Sequence, residues 1–205
     1  AVALGSTIDD AVEKIMDSDP INFISATILL SQEPDINCVK YLKEANFEDA
    51  EKEYLFVKDI PSYENSFTND WYNVSYDDFI NKALKQMISS SEGENLPDGY
   101  VPETFFFLWN DNEIIGQFRL RHYLCESLKS GSGHIGYFIG KDFRGRGYAK
   151  EGLRLLLEVA RKTIPEEEIR FRVDKENTAS LKVILSNGGY IAEEDNEKYY
   201  IRIKK

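Results

Sequence analysis

Two cysteines and two histidines in 205 residues leave few ligands for a zinc or iron–sulfur centre, so no metal site is expected. Cys38 and Cys125 lie far apart with no C-x-x-C pairing, and both are expected as buried thiols. Long apolar runs are also missing. The best stretches, Phe105 to Trp109 and Leu153 to Leu157, fall far short of the roughly 18 residues that mark a membrane span. Basic residues are in deficit, 25 Lys and Arg against 36 Asp and Glu, and a net charge of −11 opposes both a nucleic-acid backbone and an anionic membrane surface. The N-terminus has no basic start followed by an apolar run, so a cytoplasmic protein is expected unless processing ahead of Ala1 removed a signal. What is present is 42% apolar and 13% aromatic residues, enough for one packed domain with a small appendage.

Residues 1–36 read as a helical extension, with helices from Ile8 to Asp17 and from Ile21 to Ser31 parted at Asp19-Pro20. From Asn37 a domain begins: a first strand at Cys38 to Leu42, then a helix opened by Asn46 with Phe47, Ala50, Tyr54 and Val57 on one side. A second helix starts at Ser75, where Ser75-x-x-Asp78 is a capping-box variant and Phe79, Ile80, Ala83, Leu84, Met87 and Ile88 form the apolar stripe. Ser89 to Glu103 reads as a loop. Phe105 to Trp109 and Ile114 to Arg121 then read as a hairpin about Asn110-Asp111-Asn112, and His134 to Ile139 as a third strand. A helix over Ala149 to Lys162 and a strand over Ile169 to Val173 complete a strand, helix, strand crossover, which should be right-handed with its two strands parallel and ligands near their C-terminal ends. A last helix from Thr178 to Asn187 stops at Gly188-Gly189, and Tyr199 to Ile203 ends the domain as a strand.

The segment Gly140-Lys141-Asp142-Phe143-Arg144-Gly145-Arg146-Gly147-Tyr148-Ala149 joins the third strand to the crossover helix. Free N–H groups at a helix start favour an anion, and residues 141–172 carry nine basic against six acidic side chains, so a phosphate or pyrophosphate is the expected ligand. Neither G-x-x-x-x-G-K-[ST] nor G-x-G-x-x-G is present, which argues against a nucleotide P-loop or a dinucleotide fold.

Arg144-x-x-Gly147-x-Ala149 resembles the R/Q-x-x-G-x-G/A motif of the GNAT acetyltransferase superfamily. Val173 to Ser180 is similar to the end of the family's fifth strand and the asparagine that opens its last helix, and the element order from Asn37 to Lys205 follows the family. Leu96-Pro97-x-Gly99-x-Val101-Pro102, Arg119-x-Arg121-His122 and Gly133 to Tyr137 further resemble a bacterial subgroup of predicted acetyltransferases. The resemblance implies an α/β fold, a mixed and mostly antiparallel sheet flanked by helices, with acetyl-CoA held at the crossover and its acetyl group passed to a primary amine. The backbone of Tyr137, Phe138 and Ile139 would face the pantetheine and thioester, with amides near Phe138 and Ile139 stabilising the oxyanion. Arg144, Gly145, Arg146, Gly147, Tyr148 and Ala149 would wrap the pyrophosphate. Asn177 would meet the pantetheine arm as well as cap a helix, and Ser180 would contact CoA or simply occupy the first turn.

His134 is the candidate general base, set against a structural histidine flanked by glycines, with His122, Glu103 and Glu126 behind it. Family members often carry a tyrosine seven residues after the helix-opening asparagine, to protonate the leaving thiolate. Ile184 stands there, leaving Tyr190 or a water for the role and keeping open a catalytically weak, acyl-CoA-binding regulatory module. Between Glu33 and Glu113 stand 18 acidic residues and six lysines, which favours a cationic amine acceptor or merely reflects solvated helix faces. Tyr63, Phe67, Trp71, Tyr72 and Tyr76 would stack on an ammonium or pack as core. Residues 1–36 are expected to serve docking or homodimer contacts, or to be a passive extension.

Overall fold

Eight consecutive residues, Glu103–Asn110, carry the centre of the domain because Phe105 to Trp109 are all apolar and both of their faces are covered. The computed structural model describes residues 40–94 and 96–205, so the expected helices within 1–36, and Cys38, lie outside the described residues. The chain divides into units of Ala1–Cys38 and Val39–Lys205, and all of the described residues belong to the second.

Its strands are β1 (Lys40–Glu44), β2 (Tyr63–Glu64), β3 (Phe67–Thr68), β4 (Glu103–Asn110), β5 (Glu113–Arg121), β6 (Ile135–Ile139), β7 (Glu168–Asp174), β8 (Tyr190–Glu194) and β9 (Lys198–Lys204). Its helices are α1 (Ala50–Val57), α2, α3 (Glu126–Lys129), α4 (Tyr148–Thr163) and α5 (Thr178–Leu185), where α2 is continuous through Tyr76–Asp78, a π-helical turn Phe79–Ala83, and Leu84–Glu92. One antiparallel sheet runs β1-β4-β5-β6, and a second, also antiparallel, runs β7-β9-β8.

Alternation along β4 sends Phe106 and Leu108 to one face and Phe105, Phe107 and Trp109 to the other. The first face packs on α4 through Leu153, Leu156, Leu157 and Ala160, whose 3.6-residue spacing puts them on one stripe. The same α4 stripe also meets Ile169, Phe171, Val173, Ile201 and Ile203 of the second sheet, so one helix holds both sheets together. The second face is covered by α1 and α2, with Phe79, Ala83, Leu84 and Met87 against Phe105, Phe107 and Trp109.

Ser75 caps α2 as its sequence predicts, accepting the Asp78 N–H at 3.2 Å. The helix runs past Ser89 to Glu92 because the left-handed stop is Gly93, at φ 76°, and not the serine cluster. Three strands that periodicity missed are short or exposed. β2 and β3 are two residues each, joined by Asn65 and Ser66 at φ 50° and 66°, and β8 presents almost no buried residue.

The two crossover strands, β6 and β7, form no parallel ladder. They meet at a single bridge, Gly133 to Phe171, and at a bond from the His134 N–H to the Arg170 carbonyl at 2.8 Å. Beyond that junction their facing edges are unpaired. Among the described residues no helix is long and apolar enough to cross a membrane.

Candidate active site

The unpaired edges of β6 and β7 line a cleft of about 660 Å³, with Ile135 to Ile139 on one wall and Phe171 to Val173 on the other. The bonding parity of β6 decides which backbone groups look into it. His134 C=O accepts from Arg121 N–H and Gly140 N–H donates to Ile115 C=O, so the even-numbered residues of β6 bond to β5. Ile135, Tyr137 and Ile139 therefore turn their N–H and C=O groups outward, and Phe138 does not. The bond from Arg144 Nε to the Ile139 carbonyl at 2.9 Å reaches that outward edge.

The glycine turn closes one end. Gly147, at φ 80°, is the N-cap of α4, and the first helical bond runs from Glu151 N–H to Gly147 C=O at 3.1 Å. The N–H groups of Tyr148, Ala149 and Lys150 precede it and have no intrahelical acceptor. A Cβ at Gly145 or Gly147 would meet nothing within 4 Å, so the space over the turn is open to a ligand. Arg144 does not reach into it: its guanidinium pairs with Glu64 at 2.6 and 3.2 Å and lies 5.0 Å over the Phe138 ring. The same pairing holds the Glu64 carboxyl below its usual range. Arg146 is exposed and outside the lining.

Across the cleft, Asn177 caps α5 by accepting the Ser180 N–H at 3.1 Å. The Tyr137 hydroxyl lies 2.6 Å from Ser180 Oγ, bridging the gap, and burial pushes its pKa up to about 12. Ile184 lines the same wall.

The hairpin β2–β3, unforeseen in the sequence, roofs the other end. It is tied at three points: Glu64 to Arg144, Ser66 Oγ donating to Asp174 at 2.6 Å, and the Thr68 carbonyl accepting from Arg119 at 2.6 Å. Beneath it lie Arg119 and Arg121 of β5 and Arg172 of β7. Glu64 is the one carboxylate among the described lining residues, against six lysines and arginines, so of the described acids between Glu44 and Glu113 only Glu64 faces the cleft, and the expectation of a cationic acceptor loses most of its basis.

The catalytic candidates fare differently from the cleft residues. His134 is fully buried outside the lining. Its Nδ1 accepts the Arg170 N–H at 2.9 Å and its Nε2 lies 3.3 Å from Glu166, so the ring pins β6 to β7 where their pairing ends. Burial lowers its pKa against the opposing pull of Glu166. A ring nitrogen committed to a backbone donor is unavailable as a base, which makes His134 a structural residue. Tyr190 is also outside the lining, its hydroxyl bonded to Glu168 on the surface of the second sheet, which removes it as the general acid. His122 bonds Thr104 Oγ1 at 2.8 Å, Glu103 lies 3.7 Å from Arg121, and Glu126 pairs with Lys129 at 2.6 Å; none lines the cleft. Cys125 is half-exposed rather than buried, with its thiol 3.2 Å from Ser127 Oγ. No cluster of His, Cys, Asp and Glu among the described residues could hold a metal ion.

This arrangement, a split pair of strands with a glycine turn at a helix start, has a match. Residues 47–189 fit the acetyltransferase (GNAT) domain family. The chain belongs to the GNAT acetyltransferases. No curated protein matches the chain at sequence level. Solved GNAT structures share the fold: Mycobacterium smegmatis RimJ with CoA-disulfide is 18% identical with a TM-score of 0.61, covering 82% of each chain. The GNAT domain of S. lividans PAT is 14% identical at 0.57, covering 85% of this chain and 100% of that one. Spermidine N-acetyltransferase from Vibrio cholerae, solved with CoA and spermine, is 15% identical at 0.54, covering 80% and 95%. In this GNAT chain the end of the cleft away from the glycine turn is lined by the β2–β3 hairpin and three arginines, residues that hydrophobic periodicity did not single out. The signal for the hairpin was the pair Asn65-Ser66 between β-forming aromatics.

Proposed function

We propose that this GNAT enzyme transfers the acetyl group of acetyl-CoA to a primary amine by direct attack on the thioester. The observation that carries the reading is the gap between the unpaired edges of β6 and β7, which opens onto free amides at the start of α4. The donor groups fit acetyl-CoA: helix-start N–H groups and Lys150 for phosphate oxygens at one end, and an outward strand edge for the amides of a pantetheine arm. Bound there, acetyl-CoA supplies an activated acyl group.

The chain's own residues supply position and proton handling. Tyr148, Ala149 and Lys150 hold the pyrophosphate by their N–H groups, and Ile135, Tyr137 and Ile139 hold the pantetheine and thioester. Asn177 keeps its side-chain nitrogen for the same arm, since its oxygen is spent on the helix cap. Attack forms the C–N bond and breaks the C–S bond, so a proton leaves the amine and the sulfur needs one. Arg119, Arg121 and Arg172 disfavour an ammonium beside them, so the acceptor loses its proton to water without a buried base. The Tyr137 and Ser180 hydroxyls are the proton source for the thiolate, in place of the tyrosine that Ile184 displaces.

Thiol release from acetyl-CoA over a panel of primary amines tests this reading. Amine-dependent release is expected, and Tyr137→Phe should lower kcat about 10-fold or more while leaving KM for acetyl-CoA unchanged. A CoA-binding module without turnover is the second reading, favoured by Ile184 at the position of the usual acid. Binding without amine-dependent release would select it.

A further inference from the structure

Resting on the acetyl-transfer reading, we infer that the acceptor is a small primary amine that also carries an oxyanion, a carboxylate or a phosphate, seated on Arg119, Arg121 and Arg172 beneath the β2–β3 hairpin. The three cations lie at the end of the cleft away from the glycine turn. Arg119 is in register with Gly136, and Arg121 continues the alignment to His134, three and five residues from Ile139, where Arg144 anchors the turn. At a strand rise of about 3.3 Å per residue that is roughly 10 and 17 Å along β6, so phosphates held at the turn do not account for them.

Their protein partners leave positive charge over. Arg119 is held flat, with its guanidinium 4.7 Å from the Phe67 ring and 5.1 Å from the Phe105 ring, and donates to the Thr68 carbonyl. Its Nε is buried with no partner. Arg121 donates to the Gly133 carbonyl at 3.1 Å and has Glu103 only at 3.7 Å. Arg172 makes no hydrogen bond or ion pair among the described residues. The nearby carboxylates are spent elsewhere, Asp174 on Lys198 and Ser66, and Glu64 on Arg144. Glu103 and Asp70 act on Arg119, and Asp174 on Arg172, only through space, so three half-buried guanidinium groups lack a forked carboxylate partner, and a ligand oxyanion offsets their desolvation with charge-assisted bonds. Thr68 and Ser132 in the same lining offer hydroxyls to it. A spermidine-like polycation meets three arginines there.

Conjugates in which CoA is joined through an acetyl bridge to an amine report this site by binding alone. The full chain would be titrated calorimetrically with CoA and with conjugates of glycine, glycinamide, 2-aminoethyl phosphate and spermidine. At least one anionic conjugate should bind about 10-fold or more tighter than the glycinamide conjugate, the worth of one charged hydrogen bond, and the tighter of the two identifies the oxyanion. Arg172→Gln should reduce that preference to below about 3-fold while leaving the affinity for CoA itself unchanged. Arg172 has no protein bond to lose, so its variant keeps the fold. Glycinamide or spermidine conjugates binding as tightly as the anionic ones would overturn the inference. Absence of binding by CoA itself would overturn the acetyl-transfer reading, and this inference with it. A preserved anionic preference with no turnover overturns only the transfer step.

Discussion

His134 shows how one side chain can close a fold where the backbone cannot. Its N–H and its ring Nδ1 both bond Arg170, replacing the next rung of a ladder that β6 and β7 do not form. Because Nδ1 accepts a backbone proton, the native ring is neutral, and burial lowers its pKa. Below the unfolded value of about 6.5 the unfolded chain binds a proton that the native chain refuses, so stability falls as pH falls through that point. Glu53 works in the opposite sense. It is fully buried, one oxygen accepting the Asn46 N–H at 3.1 Å, and burial pushes its pKa up to about 8. From its unfolded value near 4.5 up to about 8 the native chain holds a proton that the unfolded chain has lost, so its contribution declines as pH rises through that window. Unfolding free energies of the wild type, His134→Gln and Glu53→Gln across pH 5 to 8.5 separate the two. The wild-type advantage over His134→Gln should shrink toward the acid end, and that over Glu53→Gln toward the alkaline end. Activity lost in His134→Gln with stability unchanged at every pH would return the residue to catalysis. The sequence alone placed His134 on the right strand but could not say whether its ring faced a substrate or a backbone N–H, because Arg170 is its neighbour only in three dimensions.

At the scale of elements, the junction of β6 with β7 depends on Gly133, which sits at φ 71° with the position of a Cβ only 2.2 Å from the Arg170 carbonyl oxygen. Gly133→Ala must push the strands apart at the point where they should touch. We expect a loss of about 2 kcal/mol or more in urea unfolding, with weaker CoA binding, because left-handed strain and a backbone clash add. An unchanged midpoint would show that the junction is not fixed there. The strong elements were legible because their patterns are redundant: α4 repeats Leu153, Leu156, Leu157 and Ala160 on one stripe, and α2 announces itself with Ser75 and Asp78. β8 was not, since its exposed residues carry no alternation, and β2–β3 was not, since two-residue strands give a period of two nothing to repeat. The glycine turn was legible as a strand-to-helix turn, whereas the arginine-lined end of the cleft was not. Arg119 and Arg172 stand 53 positions apart in the chain, and only the β2–β3 roof brings their common surroundings together.

Over the whole molecule, a chain of net charge −11 puts only Glu64 of its described acids in the cleft and gathers six lysines and arginines along it, which suits an anionic co-substrate. The acids of the first half serve locally: Asp49 pairs with Lys43, and Asp78 with Lys82 at 2.8 Å. The central claim is that the split between β6 and β7, closed by the turn at Gly147, is an acetyl-CoA site. Calorimetric titration of CoA into the wild type and into Gly147→Asp tests it most directly. Aspartate at that φ places a carboxylate in the open space over the turn, facing the helix-start amides. The account predicts saturable binding of one CoA per chain, weakened about 100-fold or more in a Gly147→Asp protein that still unfolds cooperatively. Equal affinity in the two proteins, or no heat of binding in the wild type, would contradict it.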